Sequence, residues 1–262
     1  MLLVIDVGNT TTVIGIFDDD SESKLIAHWR LSSILHTPDE LGIYILNLLS
    51  TQNIKANEIH GAAFASVVPP LNFSIREAIQ KYFHVTALEV NGLTDTGMEI
   101  RYLAKREVGA DRVVNAVAGR EKYGAPLIVA DYGTAITFDV VSPDGAYIGG
   151  AIAPGLNSAI GALFSNTAQL PKVALEIPAS VIGHNTNEAI QSGVLIGSAG
   201  LTDHIIDLIR EELKAPDTKV VATGGHAPLM AKISRNIDYV DPWLMLDGLK
   251  LIYNRLNNLN NK

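Results

Sequence analysis

The sequence predicts an α/β fold of two duplicated domains, each a mixed sheet flanked by helices, with a cleft between them. Three observations predict it. The first is a repeat. An apolar strand runs into Asp-x-Gly and a threonine-bearing turn twice, as Leu2-Leu3-Val4-Ile5-Asp6-Val7-Gly8-Asn9-Thr10-Thr11-Thr12 and as Leu127-Ile128-Val129-Ala130-Asp131-Tyr132-Gly133-Thr134-Ala135-Ile136-Thr137. Asp6 aligns with Asp131, Gly8 with Gly133 and Thr12 with Thr137, at one offset of 125 (131 − 6) in a chain of 262 residues. The second is order: in both halves a strand meander comes first, then helices alternating with short buried strands. The third is composition. With 47% hydrophobic and 18% charged residues, the chain reads as folded throughout.

The elements follow from local signals. In the first half Leu2–Asp6, Thr12–Phe17 and Leu25–Leu31 read as strands, separated by Gly8-Asn9 and by the polar run Asp18-Asp19-Asp20-Ser21. Thr37-Pro38-Asp39-Glu40 opens a helix, with Thr as cap, Pro at the first helical position and Glu closing a capping box. Gly61–Val68 reads as a buried strand ended by Pro69-Pro70, and Ser74–Tyr82 as a helix. A helix over Arg112–Lys122 leads to Gly124-Ala125-Pro126 and the second half. There Leu127–Asp131, Ile136–Val141 and Ala146–Ile152 repeat the meander, with Ser142-Pro143-Asp144-Gly145 as a turn. Helices are expected over Pro154–Phe164, Glu188–Leu213 (broken near Gly193–Gly200), Ala227–Ile233 and Met245–Leu256, with strands at Lys219–Ala222 and Ile237–Val240. No low-complexity linker separates the halves. The domains are placed at 1–118 and 119–262, the last helix being free to pack back on the first.

Composition excludes several chemistries. The chain has no cysteine, which removes disulfides, thiolate nucleophiles and Cys-based zinc sites. Its net charge of −8 and the lack of a Lys/Arg cluster speak against nucleic acid and anionic membranes as partners. The amino-terminal apolar run is broken at Asp6, too early for a signal-peptide core or a membrane span, so a cytoplasmic location is expected. There is no P-loop, no Gly-x-Gly-x-x-Gly after a strand, no His-Glu-x-x-His, and no metal-ligand spacing among the seven histidines. His36 and His184 read as loop residues.

A glycine after a strand lets backbone N–H groups approach phosphate, and Asn or Thr side chains add donors. A carboxylate at the strand end can hold Mg²⁺ through waters. One copy of this pattern alone reads better as a capped hairpin; the second copy reverses the reading to a phosphate-bearing ligand. Thr223-Gly224-Gly225-His226 is a third glycine turn, suited to an adenosine lying against backbone, and Gly149–Gly155 is a strand-to-helix turn shaping the cleft. In Glu107-Val108-Gly109-Ala110-Asp111-Arg112 the position of Asp111 suits a helix cap. It also suits a general base for a substrate hydroxyl, beside an arginine that attracts anions. Asn185-Thr186-Asn187-Glu188 reads as a helix start, and Tyr102 as a lone aromatic before Asp111.

Together these segments, with Ser66-Val67-Val68-Pro69 added, resemble the type III pantothenate kinases of the acetate kinase/hexokinase/actin-like superfamily, over essentially the whole chain. The resemblance implies two actin-like (ribonuclease H-like) domains and ATP-dependent phosphorylation of pantothenate, the first step towards coenzyme A. By position it implies that Asp6, Val7, Gly8, Asn9, Thr10, Thr11, Thr12, Val13 and Thr134 bind ATP. Asp111 is the implied proton acceptor, with Tyr102, Gly109, Ala110 and Arg112 as substrate contacts. Asp131 is the implied site for a monovalent cation (potassium or ammonium), and Asp6 that for Mg²⁺. Thr186 is the implied residue that helps close the substrate pocket in a homodimer, from the partner subunit. Three positions depart from the family pattern: Ala104-Lys105 stands where Asn-Pro is common, Thr11 where a second Asn is common, and His226 where Leu is usual. A phosphohydrolase or a nucleotide-binding regulatory protein on the same scaffold is the alternative.

Overall fold

A computed structural model describes residues 1–18, 24–165 and 173–260. The Asp18–Ser21 turn thus lies, from Asp19 onward, outside the described residues. The chain divides into two compact units. One holds Met1–Met98, Leu103–Ala118 and Met245–Lys262; the other holds Glu99–Tyr102 and Gly119–Leu244.

The first unit is built on β1 (Leu2–Val7), β2 (Thr11–Phe17), β3 (Leu25–Ser32), β4 (Gly61–Ser66) and β5 (Ala87–Val90), in sheet order β3-β2-β1-β4-β5. β1 runs antiparallel to β2 and parallel to β4. Helices α1 (Pro38–Ser50) and α2 (Pro69–Phe83) cover the sheet. Leu41, Ile45, Leu71, Ile75 and Ile79 from the helices bury against Leu3, Ile5, Ile14 and Phe64 from the strands. The capping box forms as expected: the Glu40 amide donates to Thr37 Oγ1 at 3.3 Å, and the Thr37 amide to Glu40 Oε2 at 2.8 Å. Pro69-Pro70 was expected to end a strand ahead of a helix at Ser74. Instead the two prolines open α2, because proline lacks an N–H that the first helical turn leaves unpaired anyway. β5, four residues long, is too short to show an alternation signal in sequence.

The second unit repeats the plan. Its strands are β6 (Leu127–Tyr132), β7 (Ala135–Val141), β8 (Tyr147–Pro154), β9 (Lys219–Thr223) and β10 (Tyr239–Val240), in order β10-β9-β6-β7-β8. Again the first strand is antiparallel to the next and parallel to the one beyond the helices. β1 and β6 share one burial pattern, and so do β2 and β7. Both second strands slip register near their ends, between Ile16 and Phe17 and between Val140 and Val141.

The repeat is not held at one offset. Asp6 faces Val13 across β1–β2, whereas Asp131 faces Thr137 across β6–β7. Beyond the glycine the offset is therefore 124 (137 − 13), since the first turn is one residue longer. Thr12 corresponds to Ile136, and Thr137 to Val13. A one-residue slip sends a strand side chain to the other face, so Thr12 is buried while Thr137 is half-buried.

Between β8 and β10 the described residues form four α-helices: α4 (Leu156–Ser165), α5 (Thr186–Gln191), α6 (Gly197–Leu213) and α7 (Ala227–Met230). The expected break near Gly193 is a π-helical segment, Ser192–Ile196, that joins α5 to α6 without ending the helix. Pro154 was expected to start a helix. It ends β8 instead, opposite Ala135, and Gly155 makes the turn. Gly149 and Gly150 likewise lie inside β8 and not in a turn. Two helices carry the chain between units: α3 (Ala110–Tyr123), at Ala118 to Gly119, and α8 (Leu244–Asn260), at Leu244 to Met245.

Candidate active site

In the first unit, Asp6 stands half-buried near the end of β1, and the turn after it is closed by the Gly8 amide donating to the Thr11 carbonyl at 3.0 Å. Asn9 and Thr10 are exposed at its tip. Val7 and Thr12 point away from the tip. Val7 belongs to the core, and Thr12 shares a hydrogen bond with the Ser33 hydroxyl at 2.8 Å. Any contact these two make with phosphate falls to their backbone. The Ser33 amide also donates to the Thr10 carbonyl at 3.0 Å, so the residue that follows β3 braces the turn.

Asp111 lies inside α3, which starts at Ala110, and not at the cap position. Its Oδ1 accepts the Arg112 amide at 2.9 Å, so the carboxylate still serves one of the free N–H groups of the first turn. Burial pushes the Asp111 carboxyl above its usual range, against the lowering pull of the Arg112 amide and guanidinium. A half-buried carboxyl at a helix start, its proton affinity raised by burial, has the character of a general base. Ala110 and Arg112 are buried beside it. The segment before it, where Ala104-Lys105 departs from the family pattern, closes as a 3₁₀ turn over Lys105–Glu107, the Glu107 amide donating to the Ala104 carbonyl at 2.8 Å.

In the second unit three separate glycine segments converge. The Gly133 amide donates to the Ala135 carbonyl at 3.0 Å, the shorter counterpart of the Gly8 turn. Gly155 brings the start of α4 so close that a Cβ there would collide with the carbonyls of Gly133 and Thr134. Ser158 then donates to the Thr134 carbonyl at 2.7 Å. Gly224, at φ +86°, packs its backbone on Asp131, and a Cβ there would strike Asp131 Oδ1 and the Tyr132 backbone. The His226 amide reaches the Tyr132 carbonyl at 3.3 Å, and its Nε2 lies 3.3 Å from Asn157 Nδ2. Thus Asp131, Thr134, Asn157, Ser158, Gly224 and His226 form one platform of polar groups and bare backbone, suited to phosphate and sugar. Asn157 and Ser158 carried no signal in the sequence.

Tyr102 sits elsewhere in this unit, on the segment Glu99–Tyr102, which meets β8 at an isolated bridge between Ile100 and Tyr147: the Tyr147 amide donates to the Glu99 carbonyl at 2.9 Å, and the Arg101 amide to the Tyr147 carbonyl at 2.8 Å. Arg101 pairs with Asp144 at 2.6 Å and holds that carboxyl down to about 2. The Tyr102 ring lies 6.4 Å from that of Tyr147, whose hydroxyl donates to the fully buried Asp139 at 2.9 Å. Asp139 also accepts the Thr137 hydroxyl at 3.0 Å. Sequence reading passed over Asp139 and Tyr147; a carboxylate inside an apolar strand was the signal that could have found them. Thr186 is exposed at the first turn of α5, with Asn185 as the cap accepting the Glu188 amide at 2.9 Å.

Among the described residues no group of three or more His, Cys, Asp or Glu side chains could hold a metal ion. Asp6 and Asp131 are single carboxylates. That donor set fits Mg²⁺ bound mainly by water and nucleotide phosphate, and a weakly held monovalent cation.

The sequence model of the family described as type III pantothenate kinase matches residues 2–208. A type III pantothenate kinase of Koribacter versatilis (strain Ellin345) is 46% identical over 263 residues, covering 97% of this chain and 96% of its own. One from Geobacillus thermodenitrificans (strain NG80-2) is 45% identical over 256 residues, covering 97% and 98%. Solved structures share the fold at low identity. The ethanolamine utilization protein EutJ from Carboxydothermus hydrogenoformans matches at TM-score 0.56 and 14% identity, over 95% of this chain and 89% of its own. The activator of the 2-hydroxyisocaproyl-CoA dehydratase from Clostridium difficile, with bound ADPNP, matches at 0.51 and 12%, over 100% and 97%.

Proposed function

The chain belongs to the type III pantothenate kinase family and phosphorylates pantothenate with ATP, the first step of coenzyme A biosynthesis, and from that premise we propose how its residues divide the work. Asp111 takes the proton of the pantothenate hydroxyl as the hydroxyl oxygen bonds to the γ-phosphorus and the bond to ADP breaks. The observation that carries this role is the burial-raised proton affinity of Asp111 at the start of α3. Phosphoryl transfer depends on positioning and on spreading charge. Tyr102, Gly109, Ala110 and Arg112 orient pantothenate. The Asp6–Val13 turn and Thr134 hold the ATP phosphates with backbone amides and hydroxyls. Asp6 would hold Mg²⁺ through water and Asp131 potassium or ammonium, and these ions would supply positive charge beside the phosphates. The working form is a cytoplasmic homodimer in which Thr186 of one copy closes the other's substrate pocket; its exposure on α5 supports this.

A coupled assay for ADP release tests the reading. Release is expected to require pantothenate and Mg²⁺ and to rise when potassium replaces sodium. ADP release that pantothenate does not stimulate would overturn it.

A further inference from the structure

Asp6, Ala65 and Val90 lie in one row across the first sheet. Asp6 on β1 pairs with Ala65 on β4, and Ala65 pairs with Val90 on β5. These three strands run parallel, so the chain leaves β1 and β5 at one carboxyl edge, the edge at which open α/β sheets hold ligands. Neighbouring strands stand roughly 4.8 Å apart, which puts the start of the turn after β5 about 10 Å from the Asp6 turn.

The turn after β5 is stiff. The Asn91 amide donates to Thr94 Oγ1 at 2.9 Å, the Leu93 amide to Asn91 Oδ1 at 2.9 Å, and the Thr94 amide to the Asn91 carbonyl at 3.0 Å. A side chain that bonds its own backbone in this way locks a turn. β5 is itself anchored to α2, because Glu89 accepts Asn72 Nδ2 at 2.8 Å and pairs with Arg76.

Gly92, inside this turn, is pressed against the segment that leads to Asp111. A Cβ there would come to 2.8 Å from both the Lys105 and the Val108 carbonyl oxygens, which flank the 3₁₀ turn of that segment. Its φ is not left-handed, so glycine is required here by space and not by backbone conformation. The Val108 carbonyl shares a peptide unit with the Gly109 amide. Whatever places that carbonyl therefore places Gly109, and with it Ala110 and Asp111 at the start of α3.

We propose that the Asn91–Thr94 turn, through Gly92, sets where the Gly109–Arg112 loop stands relative to the Asp6 turn, and so how the pantothenate hydroxyl meets the γ-phosphate. Gly92 touches no reactant; it is a positioning residue. The sheet fixes β5 against β1, the locked turn extends β5, and the bare face of Gly92 seats the backbone that delivers Asp111. The inference rests on the reading that Gly109–Arg112 hold pantothenate, and adds what holds that loop.

Gly92→Ala sets a methyl against two carbonyls, so the loop must shift. Small misplacements at a reacting centre are costly: KM for pantothenate is expected to rise about tenfold and kcat to fall, with KM for ATP within about twofold of wild type. Thr94→Ala loosens the turn without adding bulk and is expected to raise KM for pantothenate about threefold. In the double variant the loosened turn yields to the methyl, so that KM is expected well below the roughly thirtyfold of independent effects. A merely structural role would lower the melting temperature and leave both KM values in place. Arg112→Lys is the reference for the loop. If it raises KM for pantothenate and Gly92→Ala does not, the turn does not set the loop and the inference falls alone. If neither variant moves that KM, the loop does not hold the substrate and the underlying reading falls as well. Should Gly92→Ala fail to fold, Thr94→Ala decides, an unchanged KM for pantothenate overturning the proposal. A full thirtyfold rise in the double variant, or an equal rise in KM for ATP, overturns it too.

Discussion

The Tyr147 hydroxyl donates to Asp139 at 2.9 Å inside the second unit, and neither residue has any exposed surface. Tyr147 also binds the Glu99–Tyr102 segment through both its backbone groups. One residue thus ties a buried carboxylate to the segment that presents Tyr102. Replacing it by phenylalanine keeps the ring and removes the donor. A hydrogen bond to a buried charge is worth roughly 1.5–3 kcal/mol, so Tyr147→Phe is expected to lower the melting temperature. With Tyr102 less well fixed, KM for pantothenate should rise roughly fivefold while kcat and KM for ATP stay near normal. A parallel Tyr102→Phe variant gives the reference. If Tyr102→Phe raises KM and Tyr147→Phe does not, the ring alone positions the segment.

Asp111→Asn separates chemistry from stability. Loss of a general base costs on the order of 10²–10⁴ in rate, so kcat should collapse while ATP still binds. Stability should move the other way. Burial raises the folded-state proton affinity of Asp111 above the value near 3.8 expected when unfolded, which means the ionised form disfavours the fold. Asn removes that penalty. The gain is therefore full above the raised folded value and disappears as the pH falls below 3.8. Chemical denaturation at pH 7 and pH 3.5 measures it; equal differences at both would remove burial as the cause.

Gly224→Ala tests the platform of the second unit. Its left-handed φ of +86° costs a non-glycine residue roughly 1–2 kcal/mol, and the new methyl meets Asp131 Oδ1 and the Tyr132 backbone. KM for ATP and the potassium response are both expected to worsen, with KM for pantothenate little changed. An unchanged KM for ATP would detach the Gly224–His226 turn from the nucleotide.

Asp131→Asn keeps the shape and removes the charge proposed to attract the monovalent cation. Rates in potassium and in sodium should converge, while the Mg²⁺ requirement persists. A variant that retains the potassium stimulation places that cation elsewhere.

Much of this architecture was legible in the chain. The strand–Asp–Gly repeat announced two related sheets, and their order β3-β2-β1-β4-β5 and β8-β7-β6-β9-β10 is one topology used twice. Thr37-Pro38-Asp39-Glu40 capped its helix as local chemistry dictates. Local signals failed where one residue can serve two elements. Pro69 and Pro154 suit a strand end and a helix start alike, and tertiary context assigned Pro69 to α2 and Pro154 to β8. Asp139, Tyr147, Asn157 and Ser158 were missed because their partners lie in other segments, or because they carry no pattern of their own.

By itself the sequence determined the duplicated sheets, the family and the residues that could meet phosphate, because these rest on strand periodicity, glycine turns and motif order along one chain. Only the tertiary structure decided which face each residue takes. Thr12 and Thr137 align in the sequence, yet the first turn holds one residue more, so one threonine is buried against Ser33 and the other stands opposite Asp131 and bonds Asp139. Side chains alternate every residue along a strand, and register is set by pairing across the sheet, which spacing along a single strand does not record.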